Sequence, residues 1–500
     1  ITDNVLHLLS SNMNALSNNV QTLLKLMACL GSSTHESVIG YLSESVEYSE
    51  VSNWLKGALI DGFIQKEGEG VLTFVHDKVR EAAYNLIPDK DKKQFHYHLG
   101  KALNSSCDGK DVGDTLFLIA NQVNHGHECI SGDEELNISI AFAKLNMRAG
   151  KRALDGCDHK TAYSYLKVAL SLLPADHWES HYDLSLRLHF LASSAANSCC
   201  HYDEAERMSR SIFERSRCFE DKVPSFLLLS QIFQTQGKCI DAYNTCSSVL
   251  LQLGETIPDA VAPGIAKTMV EDTLKMYEEV DDIDWLERNI EDNALRTTLQ
   301  FYSSIADSSY LCKPVTMAVY FTCKAVQLSL RKGICDHTTM SLLQFTRVMN
   351  MATDDNAVMC YRIAKNALSL RERFDTVAQI PEVYLNFYGG IAWRFETFQV
   401  SADYLCRGFE IGLSTGNTHA AWLCALQATL FSIISGANLQ SMLNKIDYYL
   451  HLSKTFNIKI GKNLFLVYRD TVSMLIDKGE ATCIEAKPTL GDLTDPVPSR

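Results

Sequence analysis

The sequence predicts an almost wholly α-helical protein with one small β-hairpin near its N-terminus. Three observations predict it. Apolar residues recur at helical intervals along nearly the whole chain, the period shortens to two only around residues 63–75, and small residues with a closing proline recur at the spacing of stacked helical hairpins. At 500 residues and 46% hydrophobic content the chain exceeds what one core can organise, so at least two structural units are expected.

The hairpin belongs to a unit spanning residues 18–103. Val20, Leu23, Leu24, Met27, Ala28 and Leu30 follow helical spacing up to Gly31, which suits a helix C-cap. Residues 35–42 and 50–61 read as two further short helices. Residues 63–66 and 71–75 then flank Glu67-Gly68-Glu69-Gly70, a glycine-containing turn between two short strands. Three helices followed by a two-stranded wing predict a winged-helix domain. The next helix is expected to open at Asp77, whose carboxylate caps the first-turn amides, and to bury Val79, Ala82, Ala83, Leu86 and Ile87 before Pro88 ends it. The third helix of such a domain often enters a DNA groove, but here it carries Lys56 against Glu50 and Asp61. With a net charge of −14 over the whole chain, no nucleic-acid partner is expected.

From residue 111 onward every strong pattern is helical. Gly150, Ala162, Leu166, Ala169 and Pro174 fit a tetratricopeptide-like template, in which small residues let paired helices approach and proline closes the second helix. Looser copies follow around Ser193, Ala205 and Ile212, and around Ser230, Phe233, Ala242 and Val249. Tetratricopeptide-like hairpins are therefore expected over 111–260 and further helical repeats over 261–478, together an α-solenoid. The acidic stretch at 278–284 reads as a bend or exposed connection, and the proline-bearing tail at 479–500 as a disordered linker.

No apolar run is long enough to cross a bilayer; the longest candidate, residues 421–434, is broken by Gln427, Thr429 and Ser432. No membrane partner is expected, and a cytoplasmic location is. The first four residues, Ile1-Thr2-Asp3-Asn4, carry neither an initiator methionine nor a secretory signal, so a segment of a longer protein is expected. The 16 cysteines lie in helical patterns, among them Cys29, Cys157, Cys239, Cys246, Cys323, Cys360 and Cys424, and read as buried reduced thiols. No Cys-x-x-Cys pair and no zinc-type Cys/His spacing occurs, so no metal site is expected.

The P-loop, the protein-kinase motifs, the serine-hydrolase elbow and the zinc helix are all missing from the sequence. No catalytic residue is therefore assigned, and an orphan helical enzyme would need a site assembled from distant residues. His96-Tyr97-His98 could be imagined as a ligand pair. Residues two apart on a helix point in different directions, however, and both histidines read as surface residues. His76-Asp77, at the junction of wing and helix, is the more interesting pair, because a histidine beside a carboxylate can sense charge or phosphate, but Asp77 as helix cap with His76 as its packed neighbour needs no ligand and is the preferred reading of the residues. The aromatic stretch at 388–398, with Trp393 and Phe395, reads as helix-pair core.

Residues 74–88, running Phe74-Val75-His76-Asp77-Lys78-Val79-Arg80-Glu81-Ala82-Ala83-Tyr84-Asn85-Leu86-Ile87-Pro88, resemble the segment that ends the ATPase module of very large multidomain signalling kinases. The likeness continues through Leu116-Phe117-Leu118-Ile119, Gln122 and Asn124, then Ala162-Tyr163-Ser164-Tyr165-Leu166, then residues 172–179. In that family a Ser/Thr-kinase-like domain precedes a signal-transduction ATPase of the AAA/STAND type, followed by helical repeats, a GAF domain and a histidine kinase. The resemblance implies that residues 1–17 end an ATPase lid or linker, and that His76 and Asp77 contact the ATPase and report its nucleotide state. It also implies that ATP and Mg belong to the parent protein, with no cofactor in this chain. The expected function is a non-catalytic regulatory and protein-interaction segment, whose partners are the upstream ATPase, the downstream kinase domains, and a protein or small ligand on the concave face. The alternative is the regulatory segment of a MalT-like STAND transcription regulator.

Overall fold

The computed structural model describes residues 2–477, except 46–47, 108–112, 114, 131–134, 281–284, 286, 353–355, 375–376, 456–457 and 459–460. Most of the expected acidic bend and the whole of the 479–500 tail therefore lie outside the described residues. Helix α1 (Thr2–Asn14) leads to α2 (Asn18–Leu30), which buries Val20, Leu23, Leu24, Met27 and Leu30 and stops at Gly31. There φ is 130°, a conformation that favours glycine, and the Gly31 amide closes on the Met27 carbonyl at 3.1 Å.

Next come β1 (Ser33–His35), α3 (Glu36–Ser43), α4 (Val51–Ile60), β2 (Ile64–Glu67), β3 (Val71–Phe74) and α5 (Asp77–Asn85). Strands β2 and β3 pair antiparallel, with Lys66 opposite Leu72, and form the expected wing. The sheet has a third strand that the sequence reading missed. β1 pairs with β3 to give the order β1-β3-β2, setting the buried Thr34 opposite the buried Leu72. Three residues, two of them polar and exposed, are too short a run to show alternation. The result is the helix-strand-helix-helix-wing order of a winged helix, with α1 packed on α5.

Helices α6 (Lys92–Cys107), α7 (Thr115–Gly126), α8 (Glu135–Asp155), α9 (His159–Ser171), α10 (His177–Ser180), α11 (Tyr182–Ser198) and α12 (Tyr202–Arg215) complete a first compact unit, Ile1–Lys222. The template fit at α8–α9 has a direct cause: a Cβ at Gly150 would stand 2.5 Å from Leu166 Cγ, so only glycine admits the fully buried Leu166.

The second unit, Val223–Arg500, begins with α13 (Val223–Thr235), α14 (Cys239–Gln252) and α15 (Pro263–Glu279). It continues with α16 (Asn293–Cys312), α17 (Val315–Lys332), α18 (Thr338–Ala352), α19 (Ala357–Phe374), α20 (Ile380–Tyr384), α21 (Phe398–Thr415), α22 (Thr418–Ile434), α23 (Leu439–Thr455) and α24 (Lys462–Asp477). Helix α20 runs into a single π-helical turn, Leu385–Gly389, so the aromatic stretch from Tyr388 is irregular backbone. Its rings still pack: Tyr388 stacks on Tyr404 with centroids 4.0 Å apart, although Phe395 remains 43% exposed.

One turn geometry recurs in both units. Cys157, Cys200 and Gly237 each take positive φ (61°, 61° and 74°) five residues before the small positions Ala162, Ala205 and Ala242. Each turn also closes with the same pattern of backbone bond, Asp158 to Ala153, His201 to Ala196 and Lys238 to Phe233, all 2.8 Å. The repeat register is thus carried by the turns, even where the helix sequences diverge. Cys157 is exposed and not buried as expected, because it occupies this left-handed turn. Non-glycine residues pay strain there, so Cys157→Gly is expected to stabilise the chain by about 1 kcal/mol, read as a higher urea midpoint.

Within the second unit α13, α16, α18, α20 and α22 form an inner row, and α14, α17, α19 and α21 pack outside them. Each inner helix packs on the next, and α22 also packs on α13, so the row closes into a ring. This explains the long apolar run at 421–434: α22 is buried on several sides, with Ala421, Trp422, Cys424, Ala425 and Ala428 all inside. Among the described residues no helix is long and apolar enough to cross a membrane.

Candidate functional site

The junction between wing and α5 places His76 in extended backbone, with φ −159° and ψ 146°. The sequence reading put the cap on Asp77; the structure puts it on His76, whose Nδ1 accepts the Lys78 amide at 3.0 Å while Asp77 becomes the first helical residue. The reason is positional: a cap lies outside the helix and reaches amides two or three residues on. Asp77 still favours the helix by its charge in the first turn. Because Nδ1 accepts, the neutral ring carries its proton on Nε2. Both side chains are exposed, so Nε2–H and the Asp77 carboxylate face solvent as a donor and acceptor pair. His35 repeats the device at α3, its Nδ1 accepting the Ser37 amide at 3.2 Å.

Behind this junction lies a buried polar relay. His96, read from the sequence as a surface residue, is only 6% exposed, because α6 turns this face onto α7, with Tyr84 of α5 beside it. Its Nδ1–H donates to Gln122 Oε1 at 2.7 Å, and Gln122 Nε2 donates to the Cys29 carbonyl at 2.8 Å. Tyr84 hydroxyl then donates to His96 Nε2 at 3.1 Å. One chain of bonds thus fastens α2, α5, α6 and α7 together. Burial holds His96 below the usual imidazole range, against the opposing pull of its bond to Gln122. His98 faces elsewhere, pairing with Gln94 at 3.0 Å.

The sequence reading assigned no site residue in the second unit, yet its inner ring gathers a polar set. Asp307 on α16 takes the Arg347 guanidinium at 2.7 Å and Gln344 Nε2 at 2.8 Å, both from α18. Arg347 also reaches Asn386 at 3.5 Å, and Asn386 donates to the Glu382 carbonyl at 2.9 Å. Asn417 donates to Glu382 Oε1 at 3.1 Å. Several atoms in this set are buried without a partner: Gln344 Oε1, Arg347 Nε, Asn350 Oδ1 and His419 Nδ1. Glu382 and His419 are half-buried at their surfaces yet enclosed by protein at wider radius, so desolvation dominates both. It pushes the Glu382 carboxyl up to about 7, opposed by the Asn417 bond and reinforced by Asp307. His419 is pushed below the usual range for the same reason.

A signal for this set did exist in the sequence. Asp307, Gln344, Glu382 and His419 are spaced 37, 38 and 37 residues apart (344 − 307, 382 − 344, 419 − 382), one on each of α16, α18, α20 and α22. Repeat spacing of polar residues inside apolar helices marks an inner face.

No family model matches the chain. It is similar to hybrid signal transduction histidine kinase G of Dictyostelium discoideum, 28% identical over 169 residues, which is 29% of this chain and 5% of that protein. A solved signal transduction ATPase with numerous domains (STAND) and a tetratricopeptide repeat sensor, from Pyrococcus horikoshii, aligns over 95% of this chain and 62% of its own at 13% identity, with a TM-score of 0.38. The chain spans a small fraction of the kinase and less than two thirds of the ATPase it matches.

Proposed function

We propose that this chain is a non-catalytic regulatory and protein-interaction segment of a multidomain, ATP-dependent signalling kinase of the cytoplasm. The similarity to a hybrid histidine kinase carries the reading, and the architecture supports it. In this reading the winged helix docks on an upstream ATPase, and the Nε2–H of His76 with the Asp77 carboxylate contacts the nucleotide-bound state. The Tyr84–His96–Gln122 relay passes a displacement of α5 into α6 and α7, because buried bonded groups cannot shift singly without orphaning a partner. The helical repeats present a platform for downstream kinase domains or a ligand. ATP and Mg act in the parent, outside this chain.

Two substitutions separate capping from contact. His76→Asn retains a side chain that caps α5 but lacks Nε2–H, whereas His76→Ala loses both. In the parent kinase both variants are expected to change ATP affinity or turnover by about tenfold, the worth of one charge-assisted hydrogen bond. Unchanged affinity and turnover in both would show that His76 does not touch the nucleotide switch.

A further inference from the structure

We propose that the inner ring of the second unit binds a small organic amine, positively charged and carrying a hydroxyl or carbonyl group, with the ammonium held between Asp307 and Glu382. This deepens the platform reading above by naming the ligand class, and it rests on that reading only in placing a ligand on the helical repeats.

Four observations point to a cation with donors. One chain of bonds, Asp307 to Arg347 to Asn386 to the Glu382 carbonyl, brings two carboxyls into one neighbourhood, where Asp307 adds to the upward push on Glu382. The one cation among them, Arg347, is already committed to Asp307 and Asn386. Glu382 is left with an amide from Asn417 and, among the described residues, no cationic partner. Gln344 is 0% exposed, and its Oε1 accepts nothing although its Nε2 is bonded to Asp307 beside the site. A buried acceptor without a donor is destabilising unless something supplies the proton. An ammonium group supplies up to three.

One unpartnered donor complements these acceptors. Arg347 Nε–H is buried and unbonded, and a hydroxyl or carbonyl oxygen on the same ligand would satisfy it. An anion is disfavoured, since it would face both carboxyls with Arg347 already occupied. Solvent reaches the place: Asp307 and Arg347 side chains are 39% and 30% exposed. The wall is also irregular, because α20 passes at Leu385 into its π-helical turn, which holds Asn386, and such turns cluster at functional sites.

The test uses the 500-residue chain and two matched series: ethanolamine, ethylene glycol and glycolate, then glucosamine, glucose and gluconate. Isothermal titration and thermal unfolding are expected to show binding of at least one amine and of neither its neutral nor its anionic counterpart. Glu382→Gln is expected to weaken that binding by about tenfold or more while keeping the Asn417 bond. If Glu382→Gln does not fold, as judged by circular dichroism, Asp307→Asn provides the same reading. The proposal is overturned if neither amine binds, if an anion binds as well as its amine, or if the variant that folds binds the amine undiminished. Because no kinase activity is read, failure here leaves the kinase-coupling reading intact, and failure there leaves this one intact.

Discussion

Gly126→Ala is expected to destabilise the first unit by about 3 kcal/mol, the upper end for overpacking a helix interface. Gly126 ends α7 against α6, where a Cβ would stand 2.3 Å from the Tyr97 amide nitrogen and 2.8 Å from the Lys93 carbonyl oxygen. Those are backbone atoms, which no rotamer change can move aside. The two helices must part, and the His96–Gln122 bond spans this same contact. Denaturant unfolding of the chain measures the loss. Gly40→Ala is the control: it lies in α3 with nothing within 4 Å of the new methyl, so a gain of about 0.5–1 kcal/mol is expected from helix propensity alone.

Acidification from pH 7 to pH 5 is the second large effect. Burial holds His189 down to about 4, against an ordinary value of 6.5, with its Nδ1–H donated to the Ser185 carbonyl at 2.8 Å. His177, stacked on it at 5.4 Å, and the buried His96 are displaced in the same direction. The unfolded chain binds more protons than the folded one between pH 6.5 and pH 4, so stability rises with pH through that window and is lost on acidification. For His189 alone the loss at pH 5 is about 2 kcal/mol. Glu382 acts oppositely: its carboxyl, raised to about 7, contributes stability that is full below 4.5 and disappears as pH rises through 7. His189→Phe, which keeps an aromatic ring against Trp178 and His177, is expected to flatten the loss of urea midpoint between pH 7 and pH 5. An unchanged slope would mean that the ring titrates freely.

These effects sort what could be read from the residues. The wing was legible because its glycine turn lies between two short apolar runs, and α2 because its apolar face ends at a glycine that the cap requires. Gly150 and Ala162 marked the α8–α9 hairpin for a packing reason, the close approach of Leu166. Strand β1 was not legible, since Ser33-Thr34-His35 pairs through its backbone and has only one inward side chain. The cap passed from Asp77 to His76 because histidine Nδ1 can accept an amide as a carboxylate does, an unusual choice that residue preference does not favour. His96 looked exposed because local spacing shows helical faces but not which face a neighbouring pair will cover. The ring of Asp307, Gln344, Glu382 and His419 required reading polar residues at repeat spacing, where attention to apolar periodicity passes over them.

Sequencing the reading frame on both sides of residues 1–500 tests most directly whether this is the transmission segment of a signalling kinase. A Gly-x-x-x-x-Gly-Lys-Ser/Thr loop is expected upstream, to hold the nucleotide that the winged helix senses, and a histidine-kinase core downstream. A frame lacking that loop, or one continuing into a basic helix-turn-helix domain as in a MalT-like regulator, would contradict it.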